Sequence, residues 1–207
     1  MEQKMAMIKV SEIVFGEKGN DGFIPTRING NIVSFQIGSV DAPLRAPFGV
    51  SEPIGGSTNV DRRTLDLEVE GELAGTMKAI DAAVVAEAIK RPMAFFGKQL
   101  DEATVRAMHQ PLVTAKEEHT PTVRTKVKVG AKAPTTVRIV TGESKFRRGT
   151  AEEVAKGSKV MAIVNLNSVW FASKMFGVSL SVDHLVVWPP KPSGLAAFTG
   201  LEGFVEE

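Results

Sequence analysis

The sequence predicts a mainly β chain of the α+β class, a barrel or sandwich interrupted by a helical insertion. Three observations carry this. Apolar and polar residues alternate with period two in both halves of the chain. One stretch near the middle shifts to helical spacing, and proline and glycine separate the alternating runs.

Ile8 and Val10 alternate with Lys9 and Ser11, and Ile13 and Phe15 then run into Gly16, which reads as strand. Residues 16–22 are a loop by composition. Val33, Phe35 and Ile37 share one parity in the next strand. Residues 41–59, with Pro43, Pro47, Pro53, Gly49, Gly55 and Gly56, are expected to be mostly irregular. Leu65, Leu67 and Val69 then face inward while Asp66, Glu68 and Glu70 face water.

At Leu73 the period changes: Leu73, Met77, Ile80, Val84 and Ala88 form one helical face, stopped by Pro92. Asp101 can cap a shorter helix through Met108, ended by Pro111. The insertion therefore covers about 73–110. Residues 122–129 alternate strictly, 131–134 turn and 136–141 return, so a hairpin is expected. Residues 145–148 read as a loop, and 160–171 with 178–188 as a last long pair turning at 174–177. His184 and Trp188 share an apolar parity and are assigned to the core. Residues 1–190 are expected to form one domain, followed by a tail at 191–207.

The chain has 207 residues, 24% charged, and no cysteine, so disulfides, thiolate metal sites and a cysteine nucleophile are excluded. The N-terminus lacks a leader pattern, and the longest apolar stretch, 73–89, is broken by Lys78, Asp81 and Glu87. A soluble protein of cytoplasm or nucleus, away from membranes, is expected. No phosphate loop, G-x-G-x-x-G or G-x-S-x-G motif occurs, and His109, His119 and His184 lack metal-ligand spacing. The expectation is a non-enzyme without metal or cofactor.

Net charge is only +1, but its distribution is uneven. Residues 121–150 hold eight basic side chains (Arg124, Lys126, Lys128, Lys132, Arg138, Lys145, Arg147 and Arg148) against the single acid Glu143. In the alternating strand, Arg124, Lys126 and Lys128 fall on one face at intervals of about 7 Å, comparable to the phosphate repeat of an extended single strand. Val123, Val127 and Val129 anchor the other face. Arg138 would join this row across the expected hairpin. Phe146, set among Lys145, Arg147 and Arg148, suits stacking on a base while its neighbours hold phosphate. Adjacent Trp170 and Phe171 point to opposite faces, so one of them is a second stacking candidate, with Lys174 alongside. A plain solvated strand face is the competing reading.

Several segments together resemble the single-stranded-DNA-binding proteins of nucleocytoplasmic large DNA viruses. They are Ala46-Pro-Phe-Gly49, Thr64-Leu-Asp-Leu-Glu-Val69, Val123-Arg-Thr-Lys-Val127, Ser168-Val-Trp-Phe171, Lys174-Met-Phe-Gly-Val178 and Asp183-His-Leu-Val-Val187. The resemblance spans roughly residues 40–190. It implies an OB-fold-like antiparallel barrel (oligonucleotide/oligosaccharide-binding type) that coats single-stranded DNA in viral replication and repair with little sequence preference. Its implied contacts are Arg124, Lys126 and Lys128, with Trp170 or Phe171 in support. RNA, replication proteins met through the acidic tail at 201–207, and a second copy of the chain stay open as further partners. The alternative is a virion structural or assembly protein with a β-sandwich and no nucleic-acid role.

Overall fold

Alternating valine, leucine and isoleucine give each strand one apolar face, and those faces decide how the sheet curls. The computed structural model describes residues 8–51, 62–116, 119–130 and 132–191. Its first half holds β1 (Val14–Phe15), β2 (Ile24–Ile28), β3 (Asn31–Ile37), β4 (Leu44–Ala46), β5 (Val50–Ser51) and β6 (Arg62–Glu68). The helices α1 (Gly71–Lys90), α2 (Pro92–Phe96) and α3 (Glu102–Met108) follow. The second half holds β7 (Val113–Lys116), β8 (His119–Lys128), β9 (Thr136–Gly142), β10 (Lys145–Gly149), β11 (Ser158–Ala172) and β12 (Met175–Trp188).

The long antiparallel hairpin β11–β12 is the spine. β3 and β4 pair with the outer edge of β11. The other edge of β12 takes β8, and β8 takes β6. An Arg45–Glu68 ion pair at 2.7 Å then links β4 to β6. The cycle β4–β6–β8–β12–β11 and back to β4, with one parallel pair, is the strand order of a partly open OB-type barrel. The chain is thus mainly β with a helical insertion, as expected, although the barrel is not wholly antiparallel.

The interior is built from the inward parities. Leu65, Leu67, Val123, Val127, Val164 and Leu166 are all fully buried. Met77, Ile80, Val84 and Ala88 of α1 are buried as their spacing requires, whereas Leu73 is only partly covered. Pro92 ends α1 and at once opens α2, because proline suits a first helical turn as well as it stops a preceding one. Asp101 caps α3 as expected, accepting from the Thr104 amide at 2.8 Å. No helix among the described residues is long and apolar enough to cross a membrane.

The structure corrects several expectations. Residues 131–134 do not close a hairpin. β8 and β9 both run parallel to β12, one after the other, pairing at 180–182 and at 184–187. Thr135 pins the junction: its amide donates to Lys128 O at 3.0 Å, and its hydroxyl donates to Val182 O at 2.8 Å while accepting from the Lys128 amide at 3.1 Å. Residues 145–148 are not a loop but lie in β10, the antiparallel partner of β9.

The last turn is Ser173-Lys174, with Ser173 at φ 51, so Met175, Phe176 and Gly177 already belong to β12. Val10–Glu12 is a 3-10 turn rather than strand, and short β4 and β5 lie within 41–51, while the rest of the stretch expected to be irregular, 52–59, lies outside the described residues. His184 is exposed and Trp188 half-buried, not core. The cause is a bulge: Ile163 pairs with His184 and Val164 with Val182, so Asp183 is an extra residue that flips the parity of everything after it. The acidic tail at 201–207 lies outside the described residues.

Thr135→Val keeps the shape of the staple but strips its hydroxyl, orphaning the Lys128 amide and one acceptor on Val182. The expected loss is about 1–3 kcal/mol in urea unfolding, with faster hydrogen exchange at the Lys128 amide. A loss below about 0.5 kcal/mol would show the staple to be incidental.

Candidate nucleic-acid interface

On β8, Val123, Thr125 and Val127 turn fully inward, so Arg124, Lys126 and Lys128 turn out. Arg124 and Lys128 are exposed and Lys126 is half-buried. The row is interlocked with acids across the strand pair. Arg124 donates through Nε and Nη2 to the two carboxylate oxygens of Asp66, its register partner on β6, at 2.8 and 2.9 Å. These hydrogen bonds to Asp66 raise the guanidinium pKa above its ordinary value. Glu68 likewise accepts from Arg45. The acidic side chains expected to face only water therefore hold two arginines in place.

Lys126 and Lys128 form one wall of a groove of about 530 Å³. The facing wall is β2 with Phe23 just before it: period two turns Ile24 and Thr26 into the core and leaves Pro25 and Arg27, in line with Phe23, on the groove side. Asn167, Ser168, Ser179 and Ser181 of β11 and β12 make a polar floor. Asn167 and Ser181 bond each other, at 2.9 Å from Nδ2 to Oγ and 3.2 Å from Oγ to Oδ1.

The loop at 16–22 closes one lip, and the helices brace it. Arg91, at the α1–α2 junction, donates to Phe15 O at 2.8 Å, pairs with Glu17 at 3.1 Å and is steadied by Glu87 at 2.6 Å. Lys18 donates to Phe95 O at 3.1 Å, and its ammonium sits 3.8 Å from the Phe171 ring centre. The two acids on this lip have internal partners too: Glu17 faces Arg91, and Asp21 accepts from the Phe23 amide at 3.1 Å.

The remaining sequence-predicted residues fall into three groups. Arg138 and Arg148 are register partners on β9 and β10, and the Arg138 guanidinium lies 5.0 Å from the ring centre of exposed Phe146. These three share one face of the ribbon. Arg147 takes the opposite face and pairs with Glu153, whose carboxyl is held below its ordinary pKa by that hydrogen bond. Lys132 and Lys145 are exposed near the two turns.

At the far hairpin, Trp170 lies two residues beyond Ser168 on the groove-floor face. Its indole packs across Gly177, and its N–H donates to Val178 O at 3.1 Å. Phe171 points the other way, into a ring cluster with Phe95, Phe96 and Phe176. Lys174 is exposed at the turn.

The structure thus joins Lys126 to Lys128, and Arg138 to Phe146 and Arg148, while Arg124, Arg147 and Phe171 stand apart from the first groove. Sequence reasoning missed Phe23, Pro25 and Arg27. Their alternation with Ile24, Thr26 and Ile28 was the available signal, masked by a proline and two polar residues in a five-residue strand. Among the described residues, no group of three or more His, Asp or Glu side chains is placed to hold a metal ion.

Residues 57–191 match the model of a family of unknown function, DUF5871. The chain belongs to that family. The DUF5871 match takes in β6 to β12, hence the cationic wall, but not the β2 wall. No curated protein matches in sequence.

Solved structures align over most of the chain at low identity. One is the single-stranded DNA-binding protein from bacteriophage Enc34 in complex with ssDNA (TM-score 0.44, 12% identity, covering 88% of this chain and 97% of that one). A C-terminal truncation of the Enc34 protein gives 0.46, 11%, 89% and 99%. The third is gp2.5, a single-stranded DNA binding protein encoded by bacteriophage T7, at 0.49, 14%, 86% and 97%. At TM-scores under 0.5 the likeness carries no ligand over to this DUF5871 chain.

Arg91→Ala removes the brace on the groove lip. Amides at 16–22 are expected to exchange faster while those of β11 and β12 keep their protection. Unchanged exchange in the loop would show that the lip stands without the helices.

Proposed function

We propose that this chain binds single-stranded nucleic acid, DNA in the first place, and performs no catalysis. One observation carries the reading: a groove with a cationic wall on β8 and, facing it at β2, a wall on which Phe23 and Pro25 offer apolar surface beside Arg27. Such a groove matches a polymer whose one side is charged phosphate and whose other side is flat base. The strand backbone lies along Lys126 and Lys128, with Arg124 next in the row, and bases rest against Phe23 and Pro25.

The position agrees with the strand face and loops that OB-type barrels use for oligonucleotides. Arg138, Phe146, Arg148 and Trp170 extend the surface at its two ends, with Lys132, Lys145 and Lys174 adding charge at the turns. Arg147 and Phe171 support it from behind. Rings and ammonium groups do not read base edges, so binding is tolerant of sequence. Coating of exposed strands in replication and repair, inside the cell and in a viral setting, is the role that the sequence resemblance implies.

Fluorescence anisotropy with labelled oligo-dT, titrated at several salt concentrations, tests this. Affinity should fall steeply with salt. Reversing Arg124, Lys126 and Lys128 to Glu together should weaken binding strongly and lower the log–log salt slope by about 2, at roughly 0.7 per lost phosphate. Absence of binding by the wild-type chain at low salt would end the proposal. Normal binding by the triple variant would move the site elsewhere.

A further inference from the structure

The cations of β8 continue past the first groove. Arg124 opens into a second hollow, also of about 530 Å³, on the other side of the strand row. Arg45, Phe48, His119 and Lys156 line it with Arg124, above the carboxylates of Asp66 and Glu68.

Phe48 is the unusual member. It is 62% exposed, yet its backbone is tightly held. Gly49 follows at φ +67, and any side chain there would collide with the Val154 carbonyl and the backbone of 155–156. The Val50 amide donates to Val154 O at 3.0 Å, and the Gly157 amide donates to Ala46 O at 2.8 Å. A large apolar ring is therefore fixed in solvent by a rigid turn instead of folding back onto the core.

The two arginines are held as firmly. Their side chains are 55% and 57% exposed, while the carboxylates gripping them, Glu68 and Asp66, are 20% and 16% exposed. The acids lie beneath and the guanidinium groups above. Asp66 engages Nε and Nη2 of Arg124 and leaves Nη1 outside the pair. A guanidinium held along one edge still presents donors to a phosphate along another.

We propose that this hollow is a second nucleotide subsite, taking the continuation of the same single strand. A base stacks on Phe48, and its phosphate is held by Arg124 and Lys156 with Arg45 beside them. Arg124 and Lys126 are two residues apart on one face, about 7 Å, so a strand leaving the first groove enters the second directly. The inference rests on the function proposed above and adds to it that the site is bipartite, with β8 as the ridge between its halves.

The test compares labelled oligo-dT of about 4 and about 12 nucleotides, within the range of OB-type site sizes, on the full chain. The wild type should gain markedly in affinity with length. Phe48→Ala combined with Lys156→Glu should cost the longer oligonucleotide about tenfold or more and flatten that gain. Its thermal melting should stay unchanged, because both side chains face solvent. A double variant that keeps the wild-type affinity and length dependence overturns the second subsite and leaves the first groove standing. A wild type that binds neither length at low salt overturns the nucleic-acid reading itself.

Discussion

The molecule depends on the parallel pairing of β8 and β9 with β12. The chain runs up one edge of β12, leaves it for a few residues, and rejoins the same edge in the same direction, with Thr135 clamping the gap. That pairing closes the barrel between the β6 side and the β11 side. It also fixes parity: Leu180 and Val182 share the interior with Thr125 and Val127, while Ser181 and Lys126 share the groove face. A slip of one residue would bury the lysines and expose the valines. The charged row is thus a by-product of closing the core correctly.

Around that row the remaining elements act as supports. β6 supplies carboxylates that hold arginines upright, β2 supplies a facing wall, and the helices hold the loop at the lip of that wall. The helical insertion packs its own apolar face, yet its most connected polar residue, Arg91, reaches back to the strand-to-loop junction at Phe15 and Glu17. Insertion and N-terminal segment are therefore coupled, although they are far apart along the chain.

Much of this was legible in the residues. Period two at 64–70 and 122–129 marked the strands and their inward faces, and the four-three spacing from Met77 to Ala88 marked α1. Asp101 announced its helix. What failed was non-local or turned on a single residue. Turn-like composition at 131–134 serves equally for a hairpin and for an excursion between two strands on one neighbour, and only the distant partner β12 decides between them. The extra residue Asp183 reversed the parity of β12, so His184 and Trp188 were assigned to the wrong side. Trp170 and Phe171 could be known to diverge, but which one faced the groove depended on the bulge beside Ser168.

One feature of the topology also bears on how the protein comes into being. β12 is the last strand among the described residues, yet it lies in the middle of the sheet, between β11 and β8. Until it emerges from the ribosome, β8 and β9 have no neighbour along that edge. Closure therefore waits for the C-terminal segment, and the loops it must shut are long, which is the condition for slow, late-committing folding.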